Sequence, residues 1–204
     1  RRGLFAVVLA RHRATEGAAA DVRALVETTA KTFGELSPYA PDLYTALGKA
    51  EMKANHPDAA LAAFRKAADA ADKQSMFPGD RGGRHMDVAE ALHASGKAGE
   101  AKTAMARAIE VSGGDPGVLA RASALTLALK DHNQALDLAR KAVAASQNED
   151  PAAQAALGAA LQASGDAAGA AAAYQRAADF APENADYKKR LLDTKKSRAT
   201  PKPS

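Results

Sequence analysis

LGAALQASGDAAGAAAAYQRAADFAP, Leu157–Pro182, holds so much alanine and so little bulk that its packing partner must be sought elsewhere in the chain. Alanine buries little apolar area, so a lone helix pair of this composition gains too little to offset the cost of ordering it. Gly165 suits the left-handed turn that ends one helix, and Asp166 is placed to cap the next. The stretch therefore reads as two short helices that are stable only when stacked on neighbours of the same kind.

Composition supports that reading over the whole chain. Its 204 residues include only 4% aromatics and no Trp, too few large anchors for a conventional core. Ala, Leu, Lys, Arg and Glu dominate, and apolar runs of period two are missing, which predicts an all-α protein. The 28 basic and 24 acidic residues leave a formal charge of +4, and the isoelectric point is about 9.3. So modest a surplus disfavours nucleic acid as the partner. With no Cys, disulfides and thiolate metal sites are excluded, and the composition suits cytoplasm and periplasm equally. The apolar run GLFAVVLA, Gly3–Ala10, follows Arg1 and Arg2 as the core of a secretion signal would. It lacks membrane-spanning length and a cleavage context, so it reads as a buried helix and no membrane span is expected. The absence of an initial Met fits a processed protein or one piece of something larger.

Self-similarity explains the alanine. Four segments align, starting at Pro41, Gly82, Pro116 and Pro151, at intervals of 41, 34 and 35 residues. The surplus in the first interval falls on SMFPGDRGGR, Ser75–Arg84, whose Pro and Gly content predicts an inserted loop over 75–84. The first segment carries Tyr44-x2-Leu47-Gly48, Ala60-x3-Phe64 and Ala67; the fourth carries Leu157-Gly158, Ala170-x3-Tyr174, Ala177 and Pro182. The second and third keep Ala101-x3-Met105 with Ala108 and Ala135-x3-Ala139 with Ala142, while Val88-Ala89 and Ala122-Ser123 replace Leu-Gly.

On these residues the chain resembles the tetratricopeptide repeat family, whose period is about 34 residues. The resemblance implies an α-solenoid of antiparallel helix pairs, with small residues at Gly48, Ala89, Ser123 and Gly158 facing Ala60, Ala101, Ala135 and Ala170. Phe64, Met105 and Tyr174 then fill the space between one repeat and the next. Asn55, Gly96 and Gly165 are expected to close the first helix of their pairs. Residues 1–40 read as an N-terminal helix pair, with Val22, Leu25, Val26 and Phe33 at helical spacing. Residues 41–182 hold the four repeats, 183–197 form a C-terminal capping helix with an apolar edge at Ala185, Leu191 and Leu192, and 198–204 form a flexible basic tail.

The chain carries no nucleophile elbow, phosphate loop or paired-histidine metal motif, so no enzyme, cofactor or metal is expected. Glu90 and His93 share a helix face, but a structural metal needs four ligands and no second cluster accompanies them. The lysines and arginines between Lys188 and Lys202 read as a solvated surface.

In the family the first helix of each pair lines a concave groove. The resemblance places Thr45, Lys49, Met52 and Lys53 there, followed by Met86, Glu90 and His93, then Leu127 among alanines, then Gln162 among alanines. The expected function is a protein–protein interaction scaffold that holds a helical or extended segment of a partner protein in this groove. Two other readings stay open: an accessory helical domain of a larger enzyme or signalling protein, and self-association, with the groove receiving another copy. Chaperone-binding family members share a clamp of Lys, Asn and Arg residues that grips a terminal carboxylate. Here Lys49 and Lys53 are the only cations on the expected lining, which predicts weak binding of acidic tails and a preference for apolar or amphipathic helices.

Overall fold

The structure is a computed structural model that describes residues 2–34 and 37–199. Among these residues the secondary structure is entirely helical, and the chain divides into two compact units, Arg1–Gly113 and Gly114–Ser204. The first unit contains α1 (Arg2–Thr15), α2 (Ala19–Phe33), α3 (Ala40–Lys53), α4 (Pro57–Lys73), α5 (Pro78–Ala94) and α6 (Ala98–Val111). The second contains α7 (Pro116–Ala128), α8 (His132–Ala145), α9 (Pro151–Ala163), α10 (Ala167–Phe180) and α11 (Ala185–Ala199). Within each unit every helix packs on the next, and α3 also meets α1 and α5, while α9 meets α7. This is the repeating helix-pair packing of an all-α solenoid.

Pro occupies the first turn of α3, α4 and α5 in the first unit and of α7 and α9 in the second, where its missing N–H costs nothing. In the second unit an aspartate caps each of α7 to α10: Asp115, Asp131, Asp150 and Asp166 accept from the backbone N–H three residues on, at 2.9, 3.1, 2.7 and 2.8 Å. The turns within four helix pairs close through one left-handed residue each, Asn55, Gly96, Lys130 and Gly165, with φ of 62°, 75°, 64° and 87°.

The aromatic residues at the pair centres act on both sides. A Cβ built on Gly48 would stand 2.5 Å from the Phe64 ring, and one on Gly158 would stand 2.8 Å from Tyr174, so each glycine admits the aromatic of its own pair. Phe64 also clusters with Val88 and Leu92 of α5, and Tyr174 with Leu191 of α11. In the third pair, Ser123 has no exposure and its Oγ donates to the carbonyl of Ala135 at 2.8 Å, tying α7 to α8 where no aromatic is available.

The expected loop over 75–84 is corrected: the chain is helical from Pro78 onward. Gly82 is buried in that helix because α6 approaches closely, a Cβ there meeting Ser112 at 2.6 Å and the Ala108 carbonyl at 3.0 Å. Arg81 Nε donates to Asp72 Oδ1 at 3.0 Å and His85 Nε2 lies 3.1 Å from Asp72 Oδ2, fastening the early turns of α5 to the end of α4. The tail expected over 198–204 lies outside the described residues from 200 on, and the backbone of 198 and 199 belongs to α11.

Candidate functional site

A cavity of about 500 Å³ opens in the first unit beside α3, lined by Arg11, Ala14 and Thr15 of α1, Asp42, Thr45, Ala46, Lys49 and Lys53 of α3, and Arg84 of α5. The helical register of α3 creates it. Leu43, Ala46 and Ala50 are buried in the core, and the intervening turns turn Thr45, Lys49 and Lys53 toward α1 and α5. Four cationic side chains share the lining with one carboxylate.

Asp42 ties the three helices together. Its Oδ1 accepts from Arg11 Nη2 at 2.9 Å and from Arg84 Nη2 at 2.7 Å. Two further polar atoms of this lining, Thr45 Oγ1 and Arg84 Nε, are buried without a partner among the described residues. An unpaired buried donor or acceptor carries its desolvation cost uncompensated, so both atoms leave hydrogen-bonding capacity unmet in the lining. The Lys53 ammonium donates to the Thr15 carbonyl at the end of α1, where a cation also meets the helix dipole. Lys49 is exposed and has no ion pair or hydrogen bond among the described residues.

A second chamber of about 220 Å³ adjoins the first, sharing Lys49 and adding Met52, Phe64, Asp87, Glu90 and Ala91. Two residues beyond Lys49, on another side of α3, Glu51 is only 1% exposed. Arg23 Nη2 donates to its Oε1, and His56 Nδ1 lies 3.0 Å from its Oε2. Burial raises the Glu51 pKa, but the hydrogen bonds and charges of Arg23 and His56 outweigh it and hold the carboxyl below its ordinary range.

The sequence-predicted lining is therefore divided. Thr45, Lys49 and Lys53 meet in the first cavity, and Met52 and Glu90 meet Lys49 in the second. Met86 is corrected: it is fully buried and belongs to the core, because at its register on α5 the side chain points between helices. His93 is half-buried and lines neither cavity. Leu127, half-buried on α7, and Gln162, exposed on α9 and accepting from the Tyr174 hydroxyl at 3.3 Å, lie in the second unit. The expectation that Lys49 and Lys53 are the only cations on the lining is likewise corrected, since Arg11 and Arg84 join them. Arg84 was hidden by the loop reading of its segment. The helix-start signal of Pro78 followed by Asp80 would have restored it to α5. Among the described residues no cluster of three or more His, Asp or Glu could hold a metal, and no helix is long and apolar enough to cross a membrane.

A family model described as tetratricopeptide repeat matches residues 41–74, which include all of α4 and most of α3. No curated protein matches the chain. Among solved structures, a thermophilic tetratricopeptide repeat protein of Thermus thermophilus is 17% identical, with 94% of this chain and 98% of that chain covered at a TM-score of 0.70. The first tetratricopeptide repeat domain of Spaghetti (RPAP3), solved with the HSP90 peptide SRMEEVD, is 19% identical over 60% of this chain and 98% of that one, at a TM-score of 0.54. YrrB, described as having an unusual peptide-binding site, is 15% identical over 94% and 90%, at a TM-score of 0.56.

Proposed function

We propose that this chain, a tetratricopeptide repeat protein by its match over residues 41–74 and by its fold, is a non-enzymatic scaffold that holds a segment of a partner protein in the groove of the first unit. The observation that carries the reading is the cavity beside α3, where Thr45 Oγ1 and Arg84 Nε are buried without partners and Lys49 stands unpaired at the edge. A surface meant only for solvent has no reason to bury unsatisfied polar atoms. Two solved structures of the same fold, one bound to a peptide and one described as having a peptide-binding site, lend support by analogy.

A random-peptide display selection on the immobilised chain, followed by amide chemical-shift mapping with a selected peptide, tests this. The expected result is perturbation concentrated on α1, α3 and α5 and binding lost in Lys49→Glu. Perturbations confined to other helices, or no retained peptide, would overturn the reading.

A further inference from the structure

The cavity is already occupied in part by a carboxylate, and that carboxylate belongs to the chain. Asp42 Oδ1 takes one guanidinium hydrogen bond from each of Arg11 and Arg84. One carboxylate does not balance the lining, which also presents Lys49 and Lys53, and it does not satisfy Arg84 Nε or Thr45 Oγ1. The unmet requirement is specific: acceptor oxygens for a guanidinium N–H and a hydroxyl, carrying negative charge. Thr45 is only 5% exposed, so its hydroxyl is held at the floor of the cavity and not offered to bulk water.

The occupant must also pass through. A chain that ended in the cavity would leave the second chamber unused, although Lys49 belongs to both and Met52, Phe64 and Ala91 give that chamber an apolar part beside the carboxylates of Asp87 and Glu90, which favour an apolar over a second acidic residue there. A terminal carboxylate is therefore a poorer fit than an acidic side chain followed along the segment by an apolar one. The resident Asp42 is itself a side-chain carboxylate, evidence that the two guanidiniums accept that geometry.

Building on the groove reading above, we propose that the first cavity is an acidic side-chain site, taking an internal Asp or Glu of the partner segment with an apolar residue in the adjoining chamber, and that Asp42 holds the site's place until the partner's carboxylate competes for Arg11 and Arg84. The place-holder makes recognition competitive: it neutralises two guanidiniums in the empty protein and weakens every acidic ligand by a fixed factor.

The probe is a random-peptide display library selected on the wild-type chain, with the strongest binder then synthesised in its original form, with its acidic residues changed to Gln, and with its C-terminus amidated. Selected peptides are expected to carry an internal Asp or Glu near an apolar residue. The Gln peptide should bind about tenfold or more weakly, while amidation leaves affinity within about twofold. Asp42→Asn should tighten the original peptide by about three- to tenfold and leave the Gln peptide unchanged. Thr45→Val, which removes the hydroxyl without breaking any existing hydrogen bond, should weaken the original peptide by about three- to tenfold while the protein keeps its helicity. Groove-bound peptides indifferent to the Gln change, or unaffected by Asp42→Asn, would overturn this proposal and leave the peptide groove standing. Loss of binding on amidation would replace the acidic side chain by a chain terminus. Failure of any peptide to depend on Lys49 would overturn both readings together.

Discussion

The Phe64 ring lies so close over Gly48 that a Cβ there would stand 2.5 Å from it, while Gly83 on α5 has nothing within 4 Å of its own missing Cβ. Both glycines sit inside helices, so both forgo the same helix propensity. Only one of them does so for packing.

Gly48→Ala should therefore destabilise the protein by about 1–3 kcal/mol, because Phe64 is 4% exposed and cannot withdraw without disturbing its contacts with α5. Gly83→Ala should raise stability by about 0.5–1 kcal/mol. Urea melts of the two variants check the pair. Equal shifts would contradict the close approach of α3 and α4 at Gly48.

Lys130 holds a left-handed conformation, φ 64°, at the turn where the equivalent positions are Asn55, Gly96 and Gly165. A side chain bearing a Cβ is strained there, so Lys130→Gly should stabilise the α7–α8 pair by about 0.5–1 kcal/mol. Thermal denaturation would register the gain as a higher Tm, and a fall in Tm would count against the turn geometry.

The aspartate caps of the second unit are separable contributions. Asp131→Ala removes the side chain that accepts from Gln134 N–H at 3.1 Å and should cost about 1 kcal/mol, whereas Asp131→Asn should cost only a few tenths. Amide exchange at the start of α8 should quicken in the alanine variant alone.

Acid should weaken the first unit through Glu51. Its carboxyl titrates below the ordinary value of 4.5 in the folded protein because Arg23 and His56 stabilise the charged form despite burial. Its contribution is present above about that ordinary value and is lost as pH falls through the lower, folded pKa. Asp72, where Arg81 and His85 likewise outweigh burial, acts in the same direction. Glu51→Gln should flatten the stability–pH curve in that acid window. A curve that keeps its full acid slope would show that other carboxylates dominate.

Much of this architecture is legible in the amino-acid order because its determinants are local. Gly48 with Phe64 and Gly158 with Tyr174 lie sixteen residues apart within one helix pair, and Asn55 or Gly165 marks the turn between them. The helical state of PGDRGGR was not legible, since what justifies Gly82 inside a helix is Ser112, thirty residues away at the end of α6. The candidate site was half legible for the same reason. Thr45, Lys49 and Lys53 follow from the register of one helix, but Arg11 joins them only when α1 packs on α3, and Arg84 only when α5 is extended back to Pro78. Met86 shows the converse error: a position that leaves a threonine hydroxyl in the cavity floor of one repeat buries an apolar chain completely in the next.

On α3, folding and recognition are written in different letters of the same word. Leu43, Ala50 and Gly48 hold the helix in place, Thr45 and Lys49 face the cavity, and Ala46 and the Asp42 carboxylate serve both. A change at exposed Lys49 leaves the packing set intact, so the positive charge of the cavity can be lowered, as by Lys49→Glu, at little expense to the scaffold. A lineage carrying this fold could thus exchange one partner for another through two or three surface replacements, and a designer could retarget it the same way.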